Sequence, residues 1–283
     1  MQMIVFATCA AEPALQESDR VLAAALGARG FAVAAAPWNG PQDAFVAADA
    51  VVIRSTWDYQ KTPDAFADWL ARLEGRPNVF NPPAMMRANM SKRYLLDLAG
   101  KGAPLPPTMA VEPDPDAIAA AMDALGLAEA VVKPEFGATA SGLSVVRRED
   151  AAGLAAAAAK MAMPGLVQAL VPEITTAGET SFIFAGRAFT HAVTKRPKSG
   201  DIRCQADHGG AAALADPPDW AVAEAHRLLA MVSGDPLYAR IDAVTLDGEM
   251  RLMEVELIEP ELFFTYSPDA AARLAGALLE RLN

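Results

Sequence analysis

The stretch YARIDAVTLDGEMRLMEVELIEP, residues 238–260, decides the fold of the C-terminal part of this chain. Its two apolar runs, 239–246 and 250–257, flank the dipeptide Asp247–Gly248, which is typical of tight turns between antiparallel strands. The sequence therefore predicts a β-hairpin that carries several acidic side chains.

The charged side chains of this hairpin are predicted to converge on one face. Side chains alternate between the two faces of a strand, so Arg240 and Asp242 share a face, as do Glu254 and Glu256. A two-residue loop would separate the two pairs, whereas a three-residue loop at 247–249, or an equivalent bulge, brings all four together. Carboxylates this close repel one another, so we expect a bound divalent cation or raised pKa values.

The composition limits the classes of protein. With 283 residues, the chain can form one large domain or two to three small ones. Hydrophobic residues at 53% predict a folded chain, and the net charge of −11 disfavours non-specific binding of nucleic acid. The apolar runs fall short of the ~20 residues of a membrane span. With two widely separated cysteines, Cys9 and Cys204, we predict a cytoplasmic protein that does not enter a membrane.

The short signatures of common catalytic sites are missing from the sequence. There is no G-x-S-x-G, no P-loop, no G-x-G-x-x-G and no C-x-x-C, and the three histidines lack a metal-ligand spacing. A zinc site and a local nucleophile are therefore not expected, and any chemistry must come from residues that are distant in sequence.

The N-terminal part alternates between strand and helix patterns. Strands are predicted at 2–8, 31–36 and 50–54, and helices at 17–29 and 63–73. This alternation predicts a small α/β domain with a parallel sheet, and Asn81–Pro82–Pro83 marks its end. The whole chain is predicted to be α/β, with α+β character in its C-terminal part, and to form domains 1–85, 86–167 and 168–283.

Basic residues cluster in two segments of this acidic chain, 87–101 and 187–203. Together with the acidic hairpin, they suggest a polyphosphate held by lysines and arginines on one side and by carboxylate-bound Mg²⁺ on the other. The alternative is that these charges belong to solvated surfaces. A glycine-bearing loop at 137–142 follows a predicted strand, and its small residues leave backbone N–H groups accessible to a phosphate.

Four segments, in this order, resemble the ATP-grasp superfamily of ligases. They are NMSKRYLLDLAGKGAPLPPT (89–108), AVVKPEFGATASGLSVV (130–146), LVQALVPEITTAGETSFIFAGRAFTHAVTKRP (166–197) and the hairpin stretch (238–260). With IRSTWDYQ (53–60), the chain is most similar to the group that contains the D-cycloserine-forming ligase, and more distantly to glutathione synthetase. The resemblance covers about residues 86–265 and implies an ATP-grasp fold preceded by an N-terminal parallel-sheet domain.

This resemblance implies the contacts to ATP. Lys92 and Lys133 would touch the α- and β-phosphates, and the loop that contains Gly137, Ser141 and Gly142 would close over the phosphate end. The strand end that would contact adenine comprises Gln168, Ala169, Leu170 and Val171. The candidates for binding the ribose hydroxyls are Glu173 and Glu179.

The resemblance also implies the metal ligands and catalytic residues. Asp242, Glu254 and Glu256 would bind Mg²⁺, which Mn²⁺ can replace, and Glu259 is an additional candidate. The superfamily commonly has Asn as its last ligand, so Glu256 adds a negative charge and leaves the number of metal ions open. The catalytic candidates are Arg240 at the transferring phosphoryl group, and Arg196 and Arg203 at the acyl-phosphate or substrate.

The N-terminal domain supplies candidate substrate contacts. Arg54, Trp57 and Tyr59 lie at and just after the end of a buried strand, where ligand-binding loops emerge from α/β sheets. The alternative is that Trp57 belongs to the core. An anionic or zwitterionic substrate would suit the arginines.

These residues predict an ATP- and Mg²⁺-dependent carboxylate–amine ligase that activates a small amino-acid-like carboxylate as an acyl-phosphate. The C–N bond would join two molecules or close a ring within one, as in D-cycloserine formation. Two other classes stay open: an ATP-binding scaffold without turnover, and a metal-dependent hydrolase that does not use ATP. The resemblance further implies a homodimer.

Overall fold

The computed structural model describes residues 2–137, 142–204, 209–246 and 248–282, which form three β-sheets with helices packed against them. The strands are β1 Met3–Thr8, β2 Ala32–Pro37, β3 Ala50–Ser55, β4 Val79–Phe80, β5 Thr108–Val111, β6 Glu129–Pro134, β7 Ser144–Arg147, β8 Gly165–Ala169, β9 Glu179–Ala185, β10 Ala188–Arg196, β11 Ala211–Ala215, β12 Tyr238–Leu246 and β13 Glu249–Glu256. The helices are α1 Glu17–Gly27, α2 Asp43–Ala47, α3 Pro63–Leu73, α4 Pro83–Met90, α5 Tyr94–Gly100, α6 Pro115–Leu125, α7 Ala151–Lys160, α8 Asp219–Ala230 and α9 Pro268–Leu282.

The N-terminal sheet has the order β2-β1-β3-β4 with parallel neighbours, as the alternating pattern predicts. Helix α3 begins at Pro63 and packs Phe66, Trp69 and Leu70 into the core on one side of this sheet. Strand β3 ends at Ser55 and leads directly into the loop 56–62. The carboxyl edge of the sheet therefore presents a loop toward the rest of the molecule.

The central sheet has the order β5-β8-β6-β7 with antiparallel neighbours. Helices α6 and α7 cover one face, where side chains such as Ile118 and Leu154 pack against Val132 and Val167. Because side chains alternate along a strand, the residues on either side of these two valines point to the opposite face. That face carries the buried polar side chains of Lys133 and Gln168.

The C-terminal sheet has the order β11-β10-β9-β12-β13, again with antiparallel neighbours. Helix α8 packs on β12 and β13, and Ile241 and Phe182 are part of the core on that side. Helix α9 packs against α1 and so joins this sheet to the N-terminal one. Alternation on β12 leaves Arg240 and Asp242 on the face away from α8.

The hairpin of β12 and β13 has the register that the charged face requires, with Arg240 opposite Glu256 and Asp242 opposite Glu254. The three-residue loop is wrong, because Leu246 pairs with Glu249. A bulge in β13 opposite Asp242 restores the register, since one extra residue shifts the alternation of the strand. The alternative of an equivalent bulge is therefore confirmed.

Helix α5 begins at Tyr94, after a turn at 91–93 that carries Lys92. In this turn the Ser91 hydroxyl donates a hydrogen bond to the Glu135 carboxylate. Within the described part of the chain, none of the helices has the length and apolarity needed to cross a bilayer.

Candidate active site

A cavity of about 500 Å³ is lined by residues from all three sheets and their loops. Side chains of β6 and β8 contribute from the central sheet, and those of β9, β10, β12 and β13 contribute from the C-terminal sheet. The predicted site residues that line the cavity are Trp57, Tyr59, Lys92, Lys133, Gly137, Gln168, Ala169, Leu170, Val171, Glu179, Arg203, Arg240, Asp242, Glu254, Glu256 and Glu259. The fold thus gathers most of the predicted residues from positions far apart in sequence.

Arg240 binds two carboxylates of the hairpin face. Its Nε and Nη2 donate to the two oxygens of Asp242, both at 2.9 Å, and Nη2 also donates to Oε1 of Glu256 at 2.5 Å. Burial alone would lower the pKa of Arg240, but attraction by Asp242 raises it well above its ordinary value. Burial likewise opposes ionisation of Asp242, but Arg240 holds the pKa of Asp242 far below its usual range. Both groups are therefore charged at neutral pH.

Lys195 is a cavity residue that the sequence analysis did not select. Its Nζ lies 3.0 Å from Oδ2 of Asp242 and also forms an ion pair with Glu179. Ser181 completes this group by donating from Oγ to Oδ1 of Asp242 at 2.6 Å. Lys195 is directly opposite Glu179 in the pairing of β9 and β10, so strand alternation was the signal that could have found it.

Arg196 does not reach the cavity, in contrast to the prediction. It is exposed at the end of β10, and as the neighbour of Lys195 it points to the opposite face of the strand. Arg203 does line the cavity, where it forms an ion pair with Asp201 at 2.8 Å.

Lys92 reaches the acidic hairpin from the turn between α4 and α5. Its Nζ lies 2.5 Å from Oε1 of Glu254. Burial alone would lower the pKa of Lys92, but the Glu254 carboxylate more than offsets this effect and raises it. The pKa of Glu254 is lowered because Lys92 and Lys133 outweigh the opposing effect of burial.

Lys133 has an environment unlike that of the other two cavity lysines. It is only 7% exposed, and its Nζ donates to the side-chain oxygen of Gln168 at 3.1 Å. The Gln168 amide in turn donates to the Thr108 hydroxyl at 2.9 Å. Because burial dominates over the attraction of Glu254, the pKa of Lys133 falls to about 8.

Beside these charges the cavity has apolar walls. The residues that form them are Val131, Leu143, Val171, Ile174, Ile202 and Met253. Apolar walls next to a few fixed polar groups are typical of cavities that bind small organic molecules.

The structure does not bring Arg54 to the cavity. Its side chain is 2% exposed, and its Nε lies 2.7 Å from Oδ1 of Asp19, which is equally buried. Nη2 donates to the carbonyl of Pro260 at 3.0 Å, and the guanidinium stacks 5.3 Å from the centre of the Tyr238 ring. Arg54 thus joins the N-terminal sheet to the segment after β13, while its loop neighbours Trp57 and Tyr59 line the cavity.

Two of the predicted nucleotide contacts that the structure describes, Glu173 and Gly142, do not line the cavity. Glu173 lies outside the cavity lining, in the short 3₁₀ turn Pro172–Thr175. Gly142 packs against Pro134 with a φ of 76°, where a side chain would be strained, so its need for glycine is structural. Ser141 lies outside the described residues.

The donor set of the hairpin fits a hard divalent cation. Asp242, Glu254 and Glu256 offer carboxylate oxygens toward one cavity. In the described ranges, no three Asp, Glu, His or Cys side chains surround a common point, because the cavity cations draw the carboxylates into ion pairs. Burial raises the pKa of Glu256 to about 7 although Arg240 acts in the opposite direction, so further positive charge is favourable there. Mg²⁺ bound to a polyphosphate brings oxygen ligands of its own and needs few from the protein.

Comparisons with known proteins show which sequences and folds this chain resembles. Residues 4–81 match the family model described as D-cycloserine synthetase DcsG, N-terminal domain. The cycloserine biosynthesis protein DcsG of Streptomyces lavendulae is 33% identical over 251 residues, covering 83% of this chain and 84% of that protein. The crystal structure of D-cycloserine synthetase DcsG superposes with a TM-score of 0.87 at 27% identity, covering 99% of this chain and 100% of the other. D-alanine–D-alanine ligase from Bacillus anthracis shares the fold, with a TM-score of 0.68 at 15% identity over 100% of this chain and 97% of the other.

The fold and the comparisons define an ATP-grasp ligase, a class of enzymes that join a carboxylate to an amine. Within this class, the chain belongs to the D-cycloserine synthetase DcsG family. The α/β fold class and the ligase activity predicted from sequence are thereby confirmed, and neither the scaffold nor the hydrolase is favoured.

Proposed function

We propose that this enzyme closes a ring within one small amino-acid-like molecule by joining its carboxylate to a nitrogen of the same molecule, as D-cycloserine formation requires. The observation that carries the proposal is a cavity that contains Lys92 and Lys133 together with the acidic face of the hairpin. The similarity to D-cycloserine synthetase supports ring closure over the joining of two separate molecules.

The reaction proceeds in two balanced steps. A carboxylate oxygen of the substrate attacks the γ-phosphorus of ATP, ADP leaves, and an acyl-phosphate forms. The substrate nitrogen then attacks the acyl carbon and loses a proton, and inorganic phosphate leaves. No side chain of the protein forms a covalent intermediate, in keeping with the missing nucleophile signatures.

Lys92 and Lys133 bind phosphate oxygens in this proposal. Lys133 does so without giving up an ion pair, because its hydrogen-bond partner is the neutral Gln168. Arg240 and Arg203 offset negative charge on the transferred phosphoryl group and on the tetrahedral oxyanion. Asp242, Glu254 and Glu256 would hold Mg²⁺ or Mn²⁺, which would supply Lewis-acid charge to the phosphate oxygens.

The nucleoside lies against the strand end 168–171 and the apolar walls, and Glu179 is the candidate for the ribose hydroxyls. Glu173 is left out because it does not line the cavity. The walls also keep water away from the acyl-phosphate, which would otherwise hydrolyse. Trp57 and Tyr59 are the substrate contacts from the N-terminal domain.

The test is a screen for substrate-stimulated ADP release with Mg²⁺ and ATP. The compounds are D- and L-amino acids and O-substituted serines, including O-amino-D-serine, which has a carboxylate and a nucleophilic nitrogen in one molecule. We expect release with one class of compound and a cyclic product identified by mass spectrometry. Release that requires a separate amine and gives a product of two joined molecules would contradict ring closure. ATP binding without stimulated release would favour the scaffold.

We also infer that the enzyme is a cytoplasmic homodimer with domains 1–85, 86–167 and 168–283. These inferences rest on the likeness to ATP-grasp ligases and on the composition of the chain. Light scattering coupled to size-exclusion chromatography tests the dimer, and limited proteolysis tests the two boundaries.

A further inference from the structure

Glu259 is a cavity carboxylate whose charge the described protein groups leave unbalanced. Four other carboxylates of the cavity are each held in ion pairs, and these are Glu179, Asp242, Glu254 and Glu256. Glu261 accepts a hydrogen bond from the backbone N–H of Phe263 at 2.6 Å. Among the residues that the structure describes, Glu259 has no ion-pair partner, and its carboxylate has no hydrogen-bond donor other than its own backbone N–H, although the side chain is half-buried and lines the cavity.

The segment that carries Glu259 is fixed by the N-terminal sheet. The indole Nε1 of Trp57 donates to the carbonyl of Glu259 at 3.0 Å, and Arg54 donates to the carbonyl of Pro260 at 3.0 Å. The hydroxyl of Tyr238 donates to the carbonyl of Ile258 at 2.8 Å. A backbone held by three such bonds fixes where the carboxylate of Glu259 can reach.

The surroundings of Glu259 suit a small organic cation. Trp57 and Tyr59 line the same cavity, and aromatic rings attract ammonium groups through their negatively polarised faces. The cationic side chains that influence Glu259 are Lys92 and Arg240, and both are already paired with other carboxylates. The carboxylate and the two aromatic side chains have no free protein cation beside them among the described residues. Together they form a site for positive charge that a ligand supplies.

We propose that Glu259 binds the α-ammonium group of the substrate and makes the enzyme selective for carboxylates that carry one. This rests on the proposed function, which gives the substrate an ammonium group and a carboxylate a few bonds apart. With the ammonium held beside the N-terminal loop, the carboxylate is free to turn toward the lysines and Arg240. Glu259 then acts in substrate recognition, and metal binding is left to the hairpin carboxylates.

The experiment compares two substrates in two variants. The substrates are O-amino-D-serine, or whichever O-substituted serine of the screen is turned over, and the same compound with hydrogen in place of its α-amino group. Wild-type enzyme is expected to prefer the amino compound by about 30-fold or more in kcat/KM, the scale of losing one partner of a buried charge pair. In Glu259→Gln this preference should fall to within about 3-fold, mainly through a higher KM, with the KM for ATP unchanged.

Two further variants separate recognition from structure. Glu259→Asp retains the charge and should keep part of the preference, whereas Glu249→Gln changes an exposed glutamate of the same hairpin and should keep all of it. An unchanged preference in Glu259→Gln would overturn this proposal, and a higher Mg²⁺ requirement with unchanged preference would make Glu259 a metal ligand instead. Absence of stimulated ADP release from wild-type enzyme would overturn the proposed function itself.

Discussion

Lys133 and Gln168 are diagonal neighbours on the antiparallel strands β6 and β8, and the Lys133 ammonium donates to the Gln168 side-chain oxygen at 3.1 Å. The other two cavity lysines, Lys92 and Lys195, are paired with carboxylates. The hydrogen-bond partner of this buried lysine is neutral, and the attraction of Glu254 offsets only part of the lost hydration, which is why its pKa falls to about 8. A bound phosphate would supply that charge.

We expect Lys133→Met to raise the KM for ATP by about 10-fold or more, since a hydrogen bond between charged groups contributes about 1.5–3 kcal/mol. Lys160→Met, at an exposed position at the end of α7, is the matched control and should leave the KM unchanged. Steady-state kinetics with varied ATP measures both. An unchanged KM in Lys133→Met would show that the ammonium does not bind the nucleotide and would revive the hydrolase alternative.

We expect Glu256→Gln to need about 5- to 10-fold more Mg²⁺ for half-maximal activity, a change of about 1–1.4 kcal/mol. The amide still accepts the hydrogen bond from Arg240, so the hairpin should keep its geometry while losing one negative charge. A Mg²⁺ titration at saturating ATP provides the measurement. Glu280→Gln, an exposed change on α9, should titrate like the wild type. Equal Mg²⁺ requirements in all three proteins would remove Glu256 from the metal ligands.

Lys195 and Arg196 are adjacent on β10, but we expect their replacement to have different effects on kcat. Lys195→Met leaves the buried carboxylate of Asp242 with one cation fewer, so we expect kcat to fall about 100-fold, about 2.7 kcal/mol. Arg196→Met changes an exposed side chain on the other face and should retain kcat within about 2-fold. The rates are compared at saturating ATP and substrate, after circular dichroism has established that both variants are folded. A large loss of kcat in Arg196→Met would restore its predicted catalytic role.

Arg54→Met is expected to act on stability. Removing one partner of a buried ion pair leaves Asp19 charged and uncompensated, which costs about 3–5 kcal/mol. Chemical denaturation of Arg54→Met and of the double variant Asp19→Asn/Arg54→Met measures this cost, and the double variant should recover part of it. A stable Arg54→Met protein with an impaired substrate KM would instead support the substrate contact predicted from the sequence.

Acid stability is expected to depend on His191. Burial lowers the pKa of His191 to about 4, below the ordinary value of 6.5. As the pH falls, His191 therefore takes up its proton in the unfolded chain before it does so in the folded protein. The contribution of neutral His191 to the free energy of unfolding is complete above pH 6.5 and is lost as the pH falls toward 4. Between pH 7 and pH 4, the free energy of unfolding should fall by about 1–3 kcal/mol less in His191→Phe than in the wild type. Denaturation of the two proteins at pH 7, 5.5 and 4 measures their free energies of unfolding. A difference between the two proteins that stays constant over these pH values would contradict the prediction.

The sequence by itself determined the hairpin and its charged face. Side-chain alternation placed Arg240, Asp242, Glu254 and Glu256 on one side, provided that a three-residue loop or a bulge set the register. The structure has the bulge. The alternation of strands and helices likewise determined the parallel N-terminal sheet. Both are local properties, because burial of one face fixes the side-chain period along each element.

Tertiary structure decided which charges share the cavity. Lys195 and Arg196 are adjacent basic residues whose roles could be separated only once β10 was paired with β9. The position of Arg54 at a strand end predicted a substrate contact, but the packing of α1 places Asp19 against Arg54 and buries both side chains. Such pairings depend on elements distant in sequence, and Coulomb energies between buried groups depend on distances that only the folded chain fixes.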